Sequence, residues 1–481
     1  MLFNSIEFML FLPLVFVLYW YAFRPLKIQN ALIVAASYVF YGWWNTTFLW
    51  LILFTSVCSY VCGLLIARFE GHRRRQQWVS AFNIVVNLLV LGYYKYYNFF
   101  VDSLSAALQG LGLQLDLVTR DILLPVGISF YTFQALSYTI DVYQRKLPAT
   151  RDLLAFLAYI SFFPQLVAGP IERATHLLPQ FLAPRRFDYA RAVGGLRLML
   201  WGMFKKVVIA DQCAQAVNAI WGYYTQCSGY ELLLGALFFT IQIYGDFSGY
   251  SDMAIGAARL FGFDLMQNFR LPYFSRHIGE FWQRWHISLT SWFRDYIYIP
   301  LGGSRAGRAA TVRNTLVVFL LSGLWHGANW TFVLWGLYHG LLFVPLILWT
   351  RQRRFAHAVA EGRRLPSLRE ALQMLLTFVL AMVGWILFRA PSVADAARYL
   401  SHLLRPSLFA VAPAWLTPPG VHAGAAPRRV AQPCRRPRGN PAHPSPPRGA
   451  CVELCPLHRD PPPHSPEPPF RANLYLFPVL R

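Results

Sequence analysis

Runs of apolar residues of helical length recur along most of the chain, with short polar or basic connections between them. They lie at residues 8–23, 31–44, 48–67 and 78–101, and again at 122–138, 153–167, 196–217, 232–261, 315–326, 330–349 and 371–388. A hydrocarbon core about 30 Å thick is crossed by about 20 helical residues. Several runs are shorter, which predicts tilted, broken or re-entrant helices among them. No stretch has the period-two alternation of a membrane barrel. The pattern therefore predicts an all-α, polytopic integral membrane protein with about 10–11 hydrophobic helices.

Charge gives these helices a direction. Arg24 and Lys27 follow the first run, residues 45–47 carry no charge, and Arg68, Arg73, Arg74 and Arg75 follow the third. The connection after the fourth has Asp102, Asp116 and Asp121 against Arg120, and Arg145, Lys146 and Arg151 follow the fifth. Every second connection is basic, so the positive-inside rule puts the N-terminus outside and residues 68–75 in the cytoplasm. Beyond Ile171 charges enter the apolar segments and the alternation is lost. The first run has no Lys or Arg before Arg24, so it reads as a span rather than a cleaved signal.

Composition agrees with a lipid environment. Charged residues are 14% of the 481, apolar residues 56% and aromatics 16%, against about a quarter charged in ordinary globular chains. So little charge cannot cover a water-soluble body, which excludes a cytosolic enzyme, a disordered regulator and a secreted disulfide scaffold. The formal charge of +22 belongs to the basic connections and implies no nucleic acid. Of the seven cysteines, Cys58 and Cys62 stand at i, i+4 in an apolar run, and none is spaced for zinc.

The C-terminal part departs from this pattern. Residues 413–470 hold seventeen prolines and no Lys, Ile, Met or Tyr. Such a stretch cannot propagate a helix or span lipid. The chain divides into a membrane domain, 1–405, and a Pro/Arg-rich tail, 406–481, that is either disordered or out of frame. Arg outnumbers Lys 39 to 5 in the chain, as a GC-rich gene would give, and a shifted frame in such a gene yields this composition. The frameshift is the preferred reading, and translating the other frames downstream of Leu404 decides it.

Polar groups are expensive inside apolar segments and are candidates for function there. The first cluster runs from Ile243 to Met253 and carries Asp246, Ser248, Ser251 and Asp252. Its glycines and serines suit close helix packing, while a buried Asp246 suits site shaping. The second, from Glu280 to Tyr296, alternates Arg284, His286 and Arg294 with Trp282, Trp285 and Trp292. That mixture reads either as an interfacial anchor or as a surface for the phosphates of an acyl carrier. The glycine-rich residues 301–307 read as a turn. In the third cluster, His326 and His339 each stand between an aromatic residue and a glycine in nearly uncharged sequence, with Asn329 between them. No cysteine or carboxylate is near enough for a metal site. Histidine is the side chain best able to exchange a proton near neutral pH, whereas a core histidine satisfied by packing is the plainer alternative.

These stretches, with residues 1–20, 92–98, 124–130, 163–171 and 245–254, resemble the membrane-bound O-acyltransferases, and within them the bacterial members that O-acetylate alginate. The likeness runs from Met1 to about Pro391. It implies a ring of tilted helices around a tunnel, reached by an acyl donor from the cytoplasm, with acetyl-CoA as that donor and no tightly bound cofactor. It places His326 on the family's catalytic histidine, His286 on a second polar position beside the tunnel, and His339 on a recurrent family histidine. Asp246, Arg284 and Asn329 are the supporting or substrate-binding candidates. The function implied is O-acetylation of an exopolysaccharide, alginate first, in the bacterial inner membrane. The expected partners are a periplasmic acyl-accepting protein, the polysaccharide assembly complex and membrane lipid. Cellulose, peptidoglycan and D-alanylated teichoic acid are the alternative acceptors. A proton-coupled transporter and a structural synthase subunit are the alternative classes. Relatives continue with hydrophobic sequence where this chain has residues 413–470.

Overall fold

The computed structural model describes residues 1–113, 119–349, 359–360 and 362–409. Asp116, and the tail from residue 410 with its cysteines Cys434, Cys451 and Cys455, lie outside the described residues. Those residues form helices and turns, with no strand among them. The first group is α1 (Ile6–Val17), α2 (Leu26–Gly42), α3 (Leu49–Arg68), α4 (Arg73–Leu91), α5 (Tyr97–Gly110) and α6 (Ile128–Tyr143). Shorter pieces follow: α7 (Leu153–Ser161), α8 (Phe163–Leu166), α9 (Ala174–Leu182), α10 (Tyr189–Phe204) and α11 (Asp211–Gly222). Then come α12 (Gly229–Leu260), α13 (Ile278–Arg284), α14 (Ile287–Phe293), α15 (Arg308–His326), α16 (Trp330–Trp349), α17 (Leu368–Arg389) and α18 (Val393–Leu403).

Among the described residues five helices are long and apolar enough to cross a bilayer: Thr46–Arg68, Arg73–Gly110, Gly229–Leu260, Trp330–Trp349 and Leu368–Arg389. The rest are shorter, bent or charged, as the short apolar runs predict. Two of the expected runs break for local reasons. Residues 119–126 are not helical because Pro125 disfavours helix in the residue before it and Gly127 follows at φ +76°. A Cβ on Gly127 would meet the Leu166 carbonyl oxygen at 2.3 Å. The run 153–167 divides at Phe162, where Pro164 starts α8 anew. Two others are extended by π-helical turns: Gly92–Tyr96 joins α4 to α5, and Lys205–Ala210 joins α10 to α11. Each such turn inserts a residue into the ladder, a feature common at functional sites.

The 32-residue α12 is the most enclosed of the five. Ser228 and Glu231 start it with a reciprocal capping box. It packs along α10 and α11 and also touches α8, α17 and α18. Glycines set its approach to α10: a Cβ on Gly249 would meet the Gly202 carbonyl oxygen at 2.7 Å, and one on Gly256 the Gly195 oxygen at 2.5 Å. The pairing of 202 with 249 and 195 with 256 makes the two helices antiparallel neighbours, backbone against backbone. Gly249 of the first polar cluster thus serves packing. Gly249→Leu should force the helices apart and cut the folded, detergent-extractable yield several-fold. Gly194→Leu, where nothing lies within 4 Å, should leave it unchanged. Equal losses at both sites, read by fluorescence-detected gel filtration, would show that contact with α10 is not what Gly249 provides.

Candidate active site

The C-terminal end of α15 builds the centre. His326 is its last residue, and the chain then turns through Gly327, Ala328 and Asn329 into α16. Gly327 is required by closeness, since a Cβ there would lie 2.2 Å from the Phe332 ring. Asn329 holds the turn: its Oδ1 accepts the Thr331 N–H at 3.0 Å and its Nδ2 donates to the Pro391 carbonyl at 2.9 Å. Behind the turn α15 and α16 touch through Gly323 and Gly336, whose added Cβ atoms would meet the Phe332 and Phe319 carbonyl oxygens at 2.2 and 2.3 Å.

A helix end leaves carbonyls without partners. Here the missing donors come from the π-helical turn Gly92–Tyr96. Tyr96 Oη donates to the Leu324 carbonyl at 2.8 Å, and the Lys95 ammonium donates to the Trp325 carbonyl. A positive charge at a helix C-terminus also complements its dipole. Neither residue was singled out for chemistry by its sequence. Their partners lie 228 and 230 positions away, and an intramembrane lysine within the run 78–101 was the available signal.

His326 faces a cavity of about 440 Å³. His286, Lys95, Ser129, Phe247 and the segment 121–128 also line it. The His326 ring is clamped by Trp325, Trp335 and Phe388, with centroids 4.9, 5.0 and 5.2 Å away. Among the described residues neither of its nitrogens has a hydrogen-bond partner, so packing alone orients the imidazole. His286 is 6.5 Å away between ring centroids, close enough for one small polar group to touch both rings.

His286 is buried between α13 and α14 with a left-handed backbone, φ +45°. The turn is held by Asn268, whose carbonyl accepts the Ile287 N–H at 2.9 Å and whose Oδ1 accepts the Ser288 hydroxyl at 2.6 Å. Asn268 in turn donates to Ser251 of α12 at 3.0 Å. Ser251 of the first cluster therefore positions His286 of the second. Among the described residues His286 Nδ1 has no partner.

The other candidates stand outside this cavity's lining. His339 is fully buried against Trp282, Trp335 and Trp385. Its Nδ1 accepts the Trp282 indole N–H at 3.4 Å, which leaves the proton on Nε2. A Cβ on Gly384 would meet that nitrogen at 2.5 Å, so α17 presses on the ring. Trp335 touches both His339 and His326 with centroids at 5.0 Å, making His339 the packing behind the clamp. Asp246 points toward α10 and α11, where Lys206 lies 2.7 Å from it and 2.8 Å from Asp211. Lys205 pairs with Asp252 at 2.6 Å and Ser248 at 2.9 Å. Arg284 binds Glu280 at 2.6 Å, and Glu280 also holds Arg276 at 3.1 Å.

The tryptophans of the second cluster are not interfacial. Trp282, Trp285 and Trp292 are buried in the protein, with Trp292 stacked on Phe133 at 4.0 Å. This overturns the anchor reading for these three side chains: their rings fill the space between α6, α13, α14 and α17.

The sequence matches the family model for membrane-bound O-acyltransferases over residues 38–383. It is 44% identical over 401 residues to the protein named "Probable alginate O-acetylase AlgI" of Azotobacter vinelandii, covering 83% of this chain and 77% of that one. The protein of the same name from Pseudomonas aeruginosa is 43% identical over 399 residues, covering 83% and 74%. A peptidoglycan O-acetyltransferase of Helicobacter pylori is 33% identical over 435 residues, covering 84% and 80%. A helical body with several spans, a family match across most of the membrane domain and these enzymes as relatives agree with one another: the chain is a multi-pass membrane acyltransferase and belongs to the membrane-bound O-acyltransferase family.

Proposed function

We propose that the chain moves an acetyl group from cytoplasmic acetyl-CoA across the bacterial inner membrane for O-acetylation of alginate. The observation that carries this is the His326 imidazole, clamped by aromatic rings at the wall of a cavity beside a second histidine. A hydroxyl is a poor nucleophile until a base takes its proton. His326 would take it as the acceptor oxygen attacks the acyl carbon, then return it to the departing sulfur. His286 would hydrogen-bond the acceptor or the acyl group. The fixed aromatic clamp spares the base any reorientation, and His339 would act through it as a positioning residue. Asn329 would keep the turn in place, while Asp246 and Arg284 would hold the surrounding helices through their ion pairs.

The side of the membrane follows from charge. Residues 121–127 of the cavity wall belong to the connection that the positive-inside rule puts outside. The cavity would then admit the acceptor from the periplasm, with the N-terminus on that side also. A periplasmic acyl-accepting protein and the polysaccharide assembly complex would take the group onward. The names of the 44% and 43% identical relatives favour alginate as the final acceptor. The 33% identical relative makes peptidoglycan the second reading.

The test uses an alginate-producing bacterium that lacks its own alginate O-acetylation and expresses this chain. Base-labile acetate should return to the secreted alginate, with peptidoglycan acetylation unchanged. Acetate on peptidoglycan alone would replace the acceptor. Inverted membrane vesicles given labelled acetyl-CoA should become labelled, and failure there alongside acetylation in cells would replace the donor.

A further inference from the structure

Lys95 is the one cation among the residues lining the His326 cavity. An ammonium has three N–H donors and no acceptor. Two of the three are directed at the Trp325 carbonyl and at Ser129 Oγ, the latter at 3.3 Å. Among the described residues no carboxylate pairs with it, although in the same membrane body Lys205 has one and Lys206 two. Asp121 is the one carboxylate in the same lining, and a buried amine held without a carboxylate partner is costly in its charged form, so such residues mark sites of use. A neutral donor, such as the Tyr96 hydroxyl one residue on, already suffices for the neighbouring carbonyl. Capping the helix therefore does not require the charge. The charge also stands on a π-helical turn that lifts residue 95 out of the regular register of the α4–α5 helix.

We infer that Lys95 supplies positive charge to the acyl oxygen during transfer, besides tying the end of α15. This rests on the acyl-transfer reading above. When the acceptor oxygen bonds to the acyl carbon, the carbonyl π pair moves onto the acyl oxygen, and His326 takes the hydroxyl proton. The resulting oxyanion is the one new negative charge in the cavity that Lys95, His286 and His326 share, where a fixed cation stabilises it without reorganisation. As the carbonyl re-forms, the carbon–sulfur bond breaks, and sulfur leaves as a thiol with the proton from His326. Lys95 neither gains nor loses a proton, and no oxidant or further reactant is needed.

Glutamine separates charge from tether, since its amide can still donate to the Trp325 carbonyl. Purified wild type, Lys95→Gln, Lys95→Met, Lys95→Arg and His326→Ala are compared by donor-dependent acetyl labelling of the acceptor at matched abundance. The expected kcat of the Gln and Met variants is about 10²–10³ lower, as for loss of an oxyanion donor. Their KM for acetyl-CoA should change little, and Arg should recover part of the rate. A Gln variant at wild-type kcat would reduce Lys95 to a helix tie and overturn this inference alone. If Met fails to accumulate, Gln still decides. A wild type that transfers nothing, like His326→Ala, would overturn the acyl-transfer reading and this inference with it.

Discussion

His326→Gln is expected to accumulate and insert like the wild type and to transfer no measurable acetyl. Glutamine fills much of the imidazole's volume and can hydrogen-bond, but it cannot accept a proton near neutral pH. The surroundings favour a clean result. Trp325, Trp335 and Phe388 clamp the ring by packing, and among the described residues no hydrogen bond to the protein is lost with it. The stability cost should therefore be small, and the rate cost should be that of general-base assistance, about 10²–10⁴ or more. His326→Ala should be as inactive. His339→Gln should keep part of the activity, because it acts only through Trp335. Labelled transfer at matched abundance measures all three, and wild-type turnover by His326→Gln would return that histidine to a packing role.

The contrast between the two histidines shows what sequence can and cannot convey. Both stand between an aromatic residue and a glycine, so local context leaves them level, and in the sequence only the family resemblance puts His326 first. The physical ground for that order is the burial of His339 behind Trp335, one turn away on α16, and against Trp385 of α17. Helix positions were legible where length and apolarity act alone, as for Trp330–Trp349, whose ends match its apolar run. They were misjudged where backbone chemistry intervenes, as at Pro125 and Gly127. Helices α9, α13, α14 and α18 went unseen as elements. They are too short to span lipid, and in α13 and α14 the Trp and Arg residues face protein, so no apolar run marks them. Asp246 drew attention because an intramembrane carboxylate is costly. Its partner Lys206 lies on another helix and was not visible in the local pattern. Lys95 was passed over for the converse reason: nothing nearby in sequence reveals that it reaches the α15 terminus.

His286 allows backbone and chemistry to be separated in one experiment. Its φ of +45° is a conformation that Asn and His tolerate better than most residues. Alanine there removes the imidazole and tolerates the turn less well than histidine, by a part of the about 1–2 kcal/mol that a left-handed residue costs. Asparagine removes the imidazole and keeps the turn. His286→Asn should therefore retain the melting temperature of the wild type in detergent, while His286→Ala melts several degrees lower. Both should lose acetyl transfer by about 10-fold to 100-fold if the ring binds a reacting group, since a lost hydrogen bond to a polar group in a desolvated site costs about 1–3 kcal/mol. The Nδ1 atom without a partner among the described residues, in a ring that lines the His326 cavity, favours that outcome. The alternative is that His286 exists to shape the turn that Asn268 and Ser251 secure. Then activity would follow stability, with His286→Asn fully active and His286→Ala impaired. A fully active Asn variant would remove His286 from the chemistry and leave His326 as the sole histidine acting on the substrate.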